Sequence, residues 1–289
     1  MLLLAMNTRD DLFAKLSNNT QTLSKSHKAF ARFIAANYQK VAFTTITQLA
    51  ELSGISVATI VRFVKAMEFS GYPAFQKEIR RIVRADLRGS ERFGMANGFR
   101  EDDSGLLSKI LNKEIENLSY LRETFDEKKV REAVSAITTA KKVLIAGLRS
   151  MAPLAQHLWF GLKKLEKDAT LITSVTLETY ECINQLDHQS LIIAIGFPRY
   201  FRKIVDILHF AKEKDVKTIT ITDNPVSPLI GDITLYSPAE SISFMAFHCA
   251  PMVLINAIIN ETSLISKEHT LQVLERFEKL AETHNIFWR

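Results

Sequence analysis

The chain has 289 residues, 47% of them apolar, and a formal net charge of +5. That length accommodates two buried cores, and that apolar share excludes a disordered or fibrous chain. The two cysteines, Cys182 and Cys249, fit neither a disulfide scaffold nor a zinc ligand set; they read as small buried residues in a reducing cytosol.

The charge is unevenly placed. Residues 1–90 hold 13 Lys and Arg against 6 Asp and Glu, a net of +7, while residues 91–289 hold 24 against 26, a net of −2. A basic first third attached to a near-neutral remainder is the footprint of a nucleic-acid-binding domain joined to a partner domain. The opening Met1–Met6 run is apolar but too short, and too poor in basic residues, for a signal peptide. Ile242–Ile259 carries no charged residue, yet it contains Ser243, His248, Pro251 and Asn256. It reads as a buried or subunit-facing helix, so the expected location is the cytoplasm, with no membrane partner.

In chain order, the first ninety residues read as helices. Ser24–Asn37 places Phe30, Phe33 and Ile34 at helical spacing; Thr45 caps a helix over Ile46–Leu52, and Ser56 caps another over Val57–Met67. Pro73 opens a helix that runs to about Leu87. Arg88–Gly105, rich in glycine and holding the acidic Glu101-Asp102-Asp103, is the expected linker. This gives a domain over 1–87, a linker over 88–105 and a second domain over 106–289. In the second domain, helices over Leu106–Phe125 and Glu127–Thr138 come first. Short apolar runs then alternate with helical stretches: Lys142–Ala146, Ala169–Thr173, Leu191–Ile195, Thr218–Thr222 and a weaker Ile233–Tyr236. The expected fold is an all-α domain followed by an α/β domain, with a mainly parallel sheet covered by helices on both faces.

The stretch from Thr45 to Phe63 carries the most chemistry. Two short helices at a sharp angle need a turn residue that tolerates positive φ, which Gly54 supplies, and a small residue at the crossing, which Ala50 supplies. Leu49, Ile55, Ile60 and Val61 are the expected shared core. The second helix then offers Ala58, Thr59, Arg62 and Lys65 outward; Thr59 and Arg62 share a face. An arginine there can fork onto guanine, and Ser56 or Thr59 can reach a phosphate or a base edge. Thr45, as the cap of the preceding helix, joins the same set of candidate contacts. Lys77, Arg80, Arg81 and Arg84 on the following helix are candidate phosphate contacts.

Thr59-Ile60-Val61-Arg62-Phe63-Val64-Lys65, followed by Glu68-Phe69-Ser70-Gly71-Tyr72-Pro73-Ala74-Phe75-Gln76-Lys77, resembles the RpiR family of bacterial regulators. In that family the recognition helix is followed by a turn of the form GFxGYxxFK, and Glu68 stands here where the first Gly is usual. The resemblance covers about Leu23–Leu87. It implies that Ser70 and Lys77 help hold the DNA backbone, and that a sugar isomerase (SIS) domain follows the linker. Residues 126–265 resemble such a domain, which implies a five-stranded parallel sheet with ligand at the carboxyl ends of its strands.

The loops at that edge suit an anion. Ser150 sits where a helix begins, and Arg149 and Arg199 can fork onto phosphate or carboxylate. Thr222, Asp223 and Ser227 offer partners for hydroxyls. The family's sugar-phosphate binders carry an SxSGxT loop after the third strand; here Phe197-Pro198-Arg199-Tyr200-Phe201 resembles the FPRYS variant, with Phe201 in place of Ser. An anion still fits, as phosphate or carboxylate. Glu178, Glu181, His188, His209 and His248 form no recognisable acid/base pattern, and there is no Walker loop, GxSxG or HExxH. The expectation is a non-enzymatic regulator without cofactor. Its partners are an operator in double-stranded DNA, a small anionic effector, and further copies of itself as a dimer or tetramer. The competing readings are a SIS-type sugar-phosphate isomerase with an appended helical domain, and a SIS-type protein that controls another enzyme by contact.

Overall fold

Ser24 starts the helix α1 (Lys25–Val41) by accepting the His27 amide at 3.3 Å. The backbone leaves helical geometry at Asn37, the expected end, and resumes for one more turn. Then follow α2 (Ile46–Ser53), α3 (Val57–Ala66) and α4 (Tyr72–Asp86). These coordinates are a computed structural model that describes Leu16, residues 24–86, Ser90, and residues 105–225, 227–242 and 244–288. The Met1–Met6 run, and the linker apart from Ser90 and Gly105, lie outside the described residues. The chain divides into two compact units, Met1–Arg92 and Phe93–Arg289.

The core of the first unit joins Phe30 and Ile34 of α1, Leu49 of α2, Ile60, Phe63 and Val64 of α3, and Phe75, Ile79 and Ile82 of α4. Phe30 meets Phe63 edge-on at 5.1 Å between ring centroids. Ala50 and Ile55 pack against this cluster from its margin, as partly buried residues.

The second unit opens with α5 (Leu106–Thr124) and α6 (Glu127–Thr139) and then alternates: β1 (Lys142–Gly147), α7 (Ala152–Lys164), β2 (Ala169–Ile172), α8 (Leu177–Asn184), β3 (Ser190–Ile195), α9 (Arg202–Glu213), β4 (Lys217–Thr222), β5 (Ile233–Tyr236), α10 (Cys249–Ile265) and α11 (Lys267–Thr283). The five strands form one parallel sheet in the order β2-β1-β3-β4-β5. Alternate residues feed two cores. Val143 and Ile145 of β1, with Leu191 and Ile193 of β3, pack with α6, α7 and α10; Leu144, Ala146, Ile192 and Ala194 pack with α8 and α9. The five-stranded parallel sheet between helices is thus the architecture the residues imply.

β4 departs from this pattern on one face. Ile219 and Ile221 join the first core, but the intervening Thr218, Thr220 and Thr222 are buried among polar groups. Thr218 donates its amide to Asp232 at 2.7 Å, Thr220 bonds Thr234 at 3.0 Å and Thr222 bonds Ser227 at 2.7 Å. The segment between β4 and β5 therefore covers these threonines with hydrogen bonds, as buried hydroxyls require.

Two expectations need correction. The uncharged run from Ile242 is not helical until Cys249, because Pro251 has no amide proton and belongs in a helix's first turn; α10 then continues past Ile259 to Ile265. Both cysteines are exposed rather than buried. No single described helix is long and apolar enough to cross a membrane.

Candidate nucleic-acid interface and effector site

The turn between α2 and α3 is built from three local devices. Thr45 and Gln48 form a reciprocal capping box at the start of α2. Gly54 ends that helix at φ +66°, a left-handed conformation that favours glycine, and donates to the Ala50 carbonyl. Ser56 then caps α3, its hydroxyl accepting the Thr59 amide at 3.3 Å and lying 2.9 Å from the Thr59 hydroxyl. On α3, Ala58, Arg62 and Lys65 are exposed, while Ile60, Phe63 and Val64 hold the opposite side in the core. Arg62 folds back along its own helix, donating Nε to the Ala58 carbonyl at 3.3 Å and approaching the Thr59 hydroxyl at 3.5 Å. Thr59 and Arg62 are thus brought together, with Ser56 beside them. Ser70 and Lys77 are also exposed, the first just before α4 and the second in its second turn.

Arg80 has a different task from the one its charge suggests. Its Nε donates to the Ala42 carbonyl at 2.6 Å and a terminal nitrogen donates to Gln76 at 2.8 Å. Tyr72 and Gln76 both donate to the Thr44 carbonyl, at 2.7 and 2.6 Å. Three side chains of α4 therefore satisfy the carbonyls that α1 leaves open just before α2. Burial pushes the Tyr72 hydroxyl up to about 12, against the opposing pull of Arg80 and Gln76, so it stays a donor. The side chains of Arg81 and Arg84 lie outside the described residues.

At the carboxyl edge of the sheet, the order in which strands are added reverses between β1 and β3, and open parallel sheets take their ligands at such a point. The loop after β1 turns at once into a short 3-10 segment, Arg149–Met151, and then α7. A Cβ on Gly147 would stand 2.6 Å from Cβ of Ala155 and 2.8 Å from the Met151 carbonyl oxygen, so only glycine lets this turn close. Six non-glycine residues among those described have left-handed backbones: Glu68, Arg149, Glu166, Arg199, Asp215 and Asn285. Glu68, Glu166, Asp215 and Asn285 each follow a helix end and sit where a left-handed residue normally closes one. Arg149 and Arg199 do not: they stand in the loops after β1 and β3, and both side chains are exposed. Left-handed backbone is unfavourable for such residues and gathers at functional loops.

Beyond Arg199, α9 begins without a side-chain cap and carries Arg202 and Lys203, with no acidic residue, in its first turn. Basic residues oppose the positive end of a helix, so this turn concentrates positive potential on the same loop. Ser150 is exposed in the 3-10 segment. Thr222 is fully buried, and its hydroxyl is bonded to Ser227. Asp223 receives the Tyr200 hydroxyl at 2.5 Å and the Asn224 amide at 2.6 Å, so it braces the β3 loop against the β4 loop. Tyr200 and Asn224 escaped the sequence reading; the only signal was their place beside Arg199 and Asp223. A cavity of about 170 Å³ lies beside β5, lined by Thr124, Phe125, Asp126, Lys129, Tyr236 and their neighbours, and none of the expected site residues lines it.

Comparison with known proteins gives two family matches: a helix-turn-helix domain of the rpiR family over residues 11–83, and a SIS domain over residues 136–261. The HTH-type transcriptional regulator HexR of Escherichia coli is 24% identical over 227 residues, which cover 78% of this chain and 76% of that protein. HexR of Pseudomonas aeruginosa is 23% identical over 248 residues, covering 80% and 84%. Among solved structures, the sugar isomerase domain of an RpiR transcription factor from Sphaerobacter thermophilus matches with a TM-score of 0.59 at 26% identity, over 61% of this chain and 99% of that one. The Vibrio vulnificus NanR protein, complexed with ManNAc-6P, shares the fold over 94% of this chain and 98% of its own, with a TM-score of 0.58 at 19% identity. A helix-turn-helix pair, a SIS domain and relatives named as regulators rather than isomerases agree: the chain is a DNA-binding transcriptional regulator that carries an rpiR-family helix-turn-helix domain and a SIS domain.

Proposed function

We propose that this regulator reads its operator with α3 and changes its DNA affinity when a phosphorylated sugar or sugar acid occupies the carboxyl edge of the sheet. On DNA, Arg62 and Thr59 are the base-reading pair, with Ala58 and Lys65 beside them. Thr45, Ser56, Ser70 and Lys77 are the backbone contacts. At the effector site, Arg149, Ser150 and Arg199 take the anion. Asp223 and the backbone at Thr222 shape the neighbouring wall. The carrying observation is the pair of left-handed arginines in the loops after the adjacent strands β1 and β3, with the uncapped, basic start of α9 following the second loop. NanR, which shares the fold, was solved complexed with ManNAc-6P, which makes phosphorylated sugars the first class to try.

Calorimetric titration of the full chain with ManNAc-6P, glucose 6-phosphate, 6-phosphogluconate and acetate tests this. The expected result is that one phosphorylated compound binds, and that Arg199→Ala weakens it about tenfold or more, the loss of one charge-assisted contact. Equal affinity in both proteins would remove Arg199 from the site.

The protein acts in the cytoplasm as a dimer or tetramer, because a lone helix-turn-helix makes too few contacts for tight, specific binding. Exposed Leu107, Leu111 and Ile115 on α5, with Val253 and Leu264 on α10, supply the apolar surface for self-association. Light scattering at micromolar concentration is expected to show at least a dimer. A monomer with intact DNA affinity would contradict this.

A further inference from the structure

Among the described residues, two buried side-chain polar atoms have no hydrogen-bonding partner: the Ser237 hydroxyl and Nε2 of His248. Both belong to the non-helical segment that leaves β5 and enters α10. Ser237 is fully buried, and its amide donates to the Thr222 carbonyl at 2.8 Å, which fixes it at the carboxyl edge of the sheet. The neighbouring polar groups there are paired: Thr222 with Ser227, and Asp223 with Tyr200 and Asn224. Unpaired buried polar atoms are costly and uncommon, so each calls for a reason. β5 is two strand intervals from β3, about 10 Å. That is the reach of an extended hexose phosphate whose anion sits at Arg199.

We propose that Ser237 and His248 are specificity contacts of the effector site, holding the hydroxyl-bearing end of the sugar while Arg149 and Arg199 hold its anion. This assignment rests on the effector reading above. A hydroxyl can both donate to and accept from a sugar hydroxyl, and a neutral imidazole nitrogen can do either, according to its tautomer. Burial holds the His248 imidazole below its ordinary pKa, outweighing nearby Glu114, so it offers a neutral partner and not a further cation. That suits the uncharged end of the ligand.

The test is calorimetry on the full-length wild type, Ser237→Ala and His248→Ala, with ManNAc-6P, glucose 6-phosphate, 6-phosphogluconate and inorganic phosphate. Melting temperatures are measured without ligand. A sugar phosphate that binds the wild type is expected to bind each variant at least about tenfold more weakly. Any affinity for inorganic phosphate is expected to stay unchanged. Unliganded Ser237→Ala is expected to melt about 2–4 °C higher, because it has lost an unpaired buried hydroxyl. Unchanged sugar-phosphate affinity in both variants overturns the assignment and leaves the effector reading standing. So does a lower melting point for Ser237→Ala, which would show that the hydroxyl serves the fold. A wild type that binds none of these probes overturns both.

Discussion

At the scale of single residues, the basic side chains divide by what they touch. Arg62 is exposed on α3 beside Thr59, whereas Arg80 is tied to the Ala42 carbonyl and Lys77 is exposed on α4. Arg62→Ala is therefore expected to cost about 1–3 kcal/mol on the specific sequence and to relax base preference at one position. Lys77→Ala is expected to weaken all sequences alike and to lower the salt slope by about 1. Fluorescence anisotropy on specific and scrambled duplexes at several salt concentrations distinguishes them; wild-type discrimination in Arg62→Ala would misplace the recognition helix. The caps Thr45 and Ser56 and the turn at Gly54 were legible in the sequence, because each acts on neighbours within a few residues. The role of Arg80 was not: its acceptor is 38 positions away, and four bases on one helix look alike until the fold selects among them. The burial of Thr222 was not legible for a different reason: its partner Ser227 is near in sequence but lies in a segment that covers a strand without a helix.

At the scale of elements, helix ends reveal a local cost. Glu68 closes α3 at φ +67°; Phe69 donates to the Val64 carbonyl and Glu68 to that of Lys65, the hydrogen-bond pattern of a helix end normally closed by glycine. Glu68→Gly is expected to stabilise the protein by about 1 kcal/mol, since glycine adopts that conformation without a steric penalty. Urea denaturation measures it; a lower midpoint would show that the Glu68 side chain contributes more than its backbone costs. Strand positions were readable from short β-branched runs, because each is one buried ladder. The five-stranded parallel sheet was what the family resemblance implied, but the order of its strands is not a matter of local pattern and appears only in the structure. The start of α10 was misread because an uncharged run looks helical throughout, while Pro251 sets where the helix can begin. The left-handed arginines left no sequence signal, as only glycine advertises that conformation.

For the whole molecule, regulation requires that occupancy at the sheet edge be felt by the DNA-binding unit. The helix that follows the linker, α5, is clasped to the segment after β5. Asn117 is buried and donates to the Glu240 carbonyl at 2.8 Å, Lys113 pairs with Glu240 at 2.7 Å, and Glu114 accepts the Cys249 amide at 3.4 Å. A ligand that shifts this segment therefore pulls on α5. The most direct measurement is the affinity of the full chain for DNA upstream of its own gene, at fixed salt, with and without a saturating sugar phosphate that binds by calorimetry. The account predicts a change of about fivefold or more in DNA affinity. It also predicts that Asn117→Ala binds both ligands but loses that change. Equal DNA affinity with and without the bound effector would contradict it.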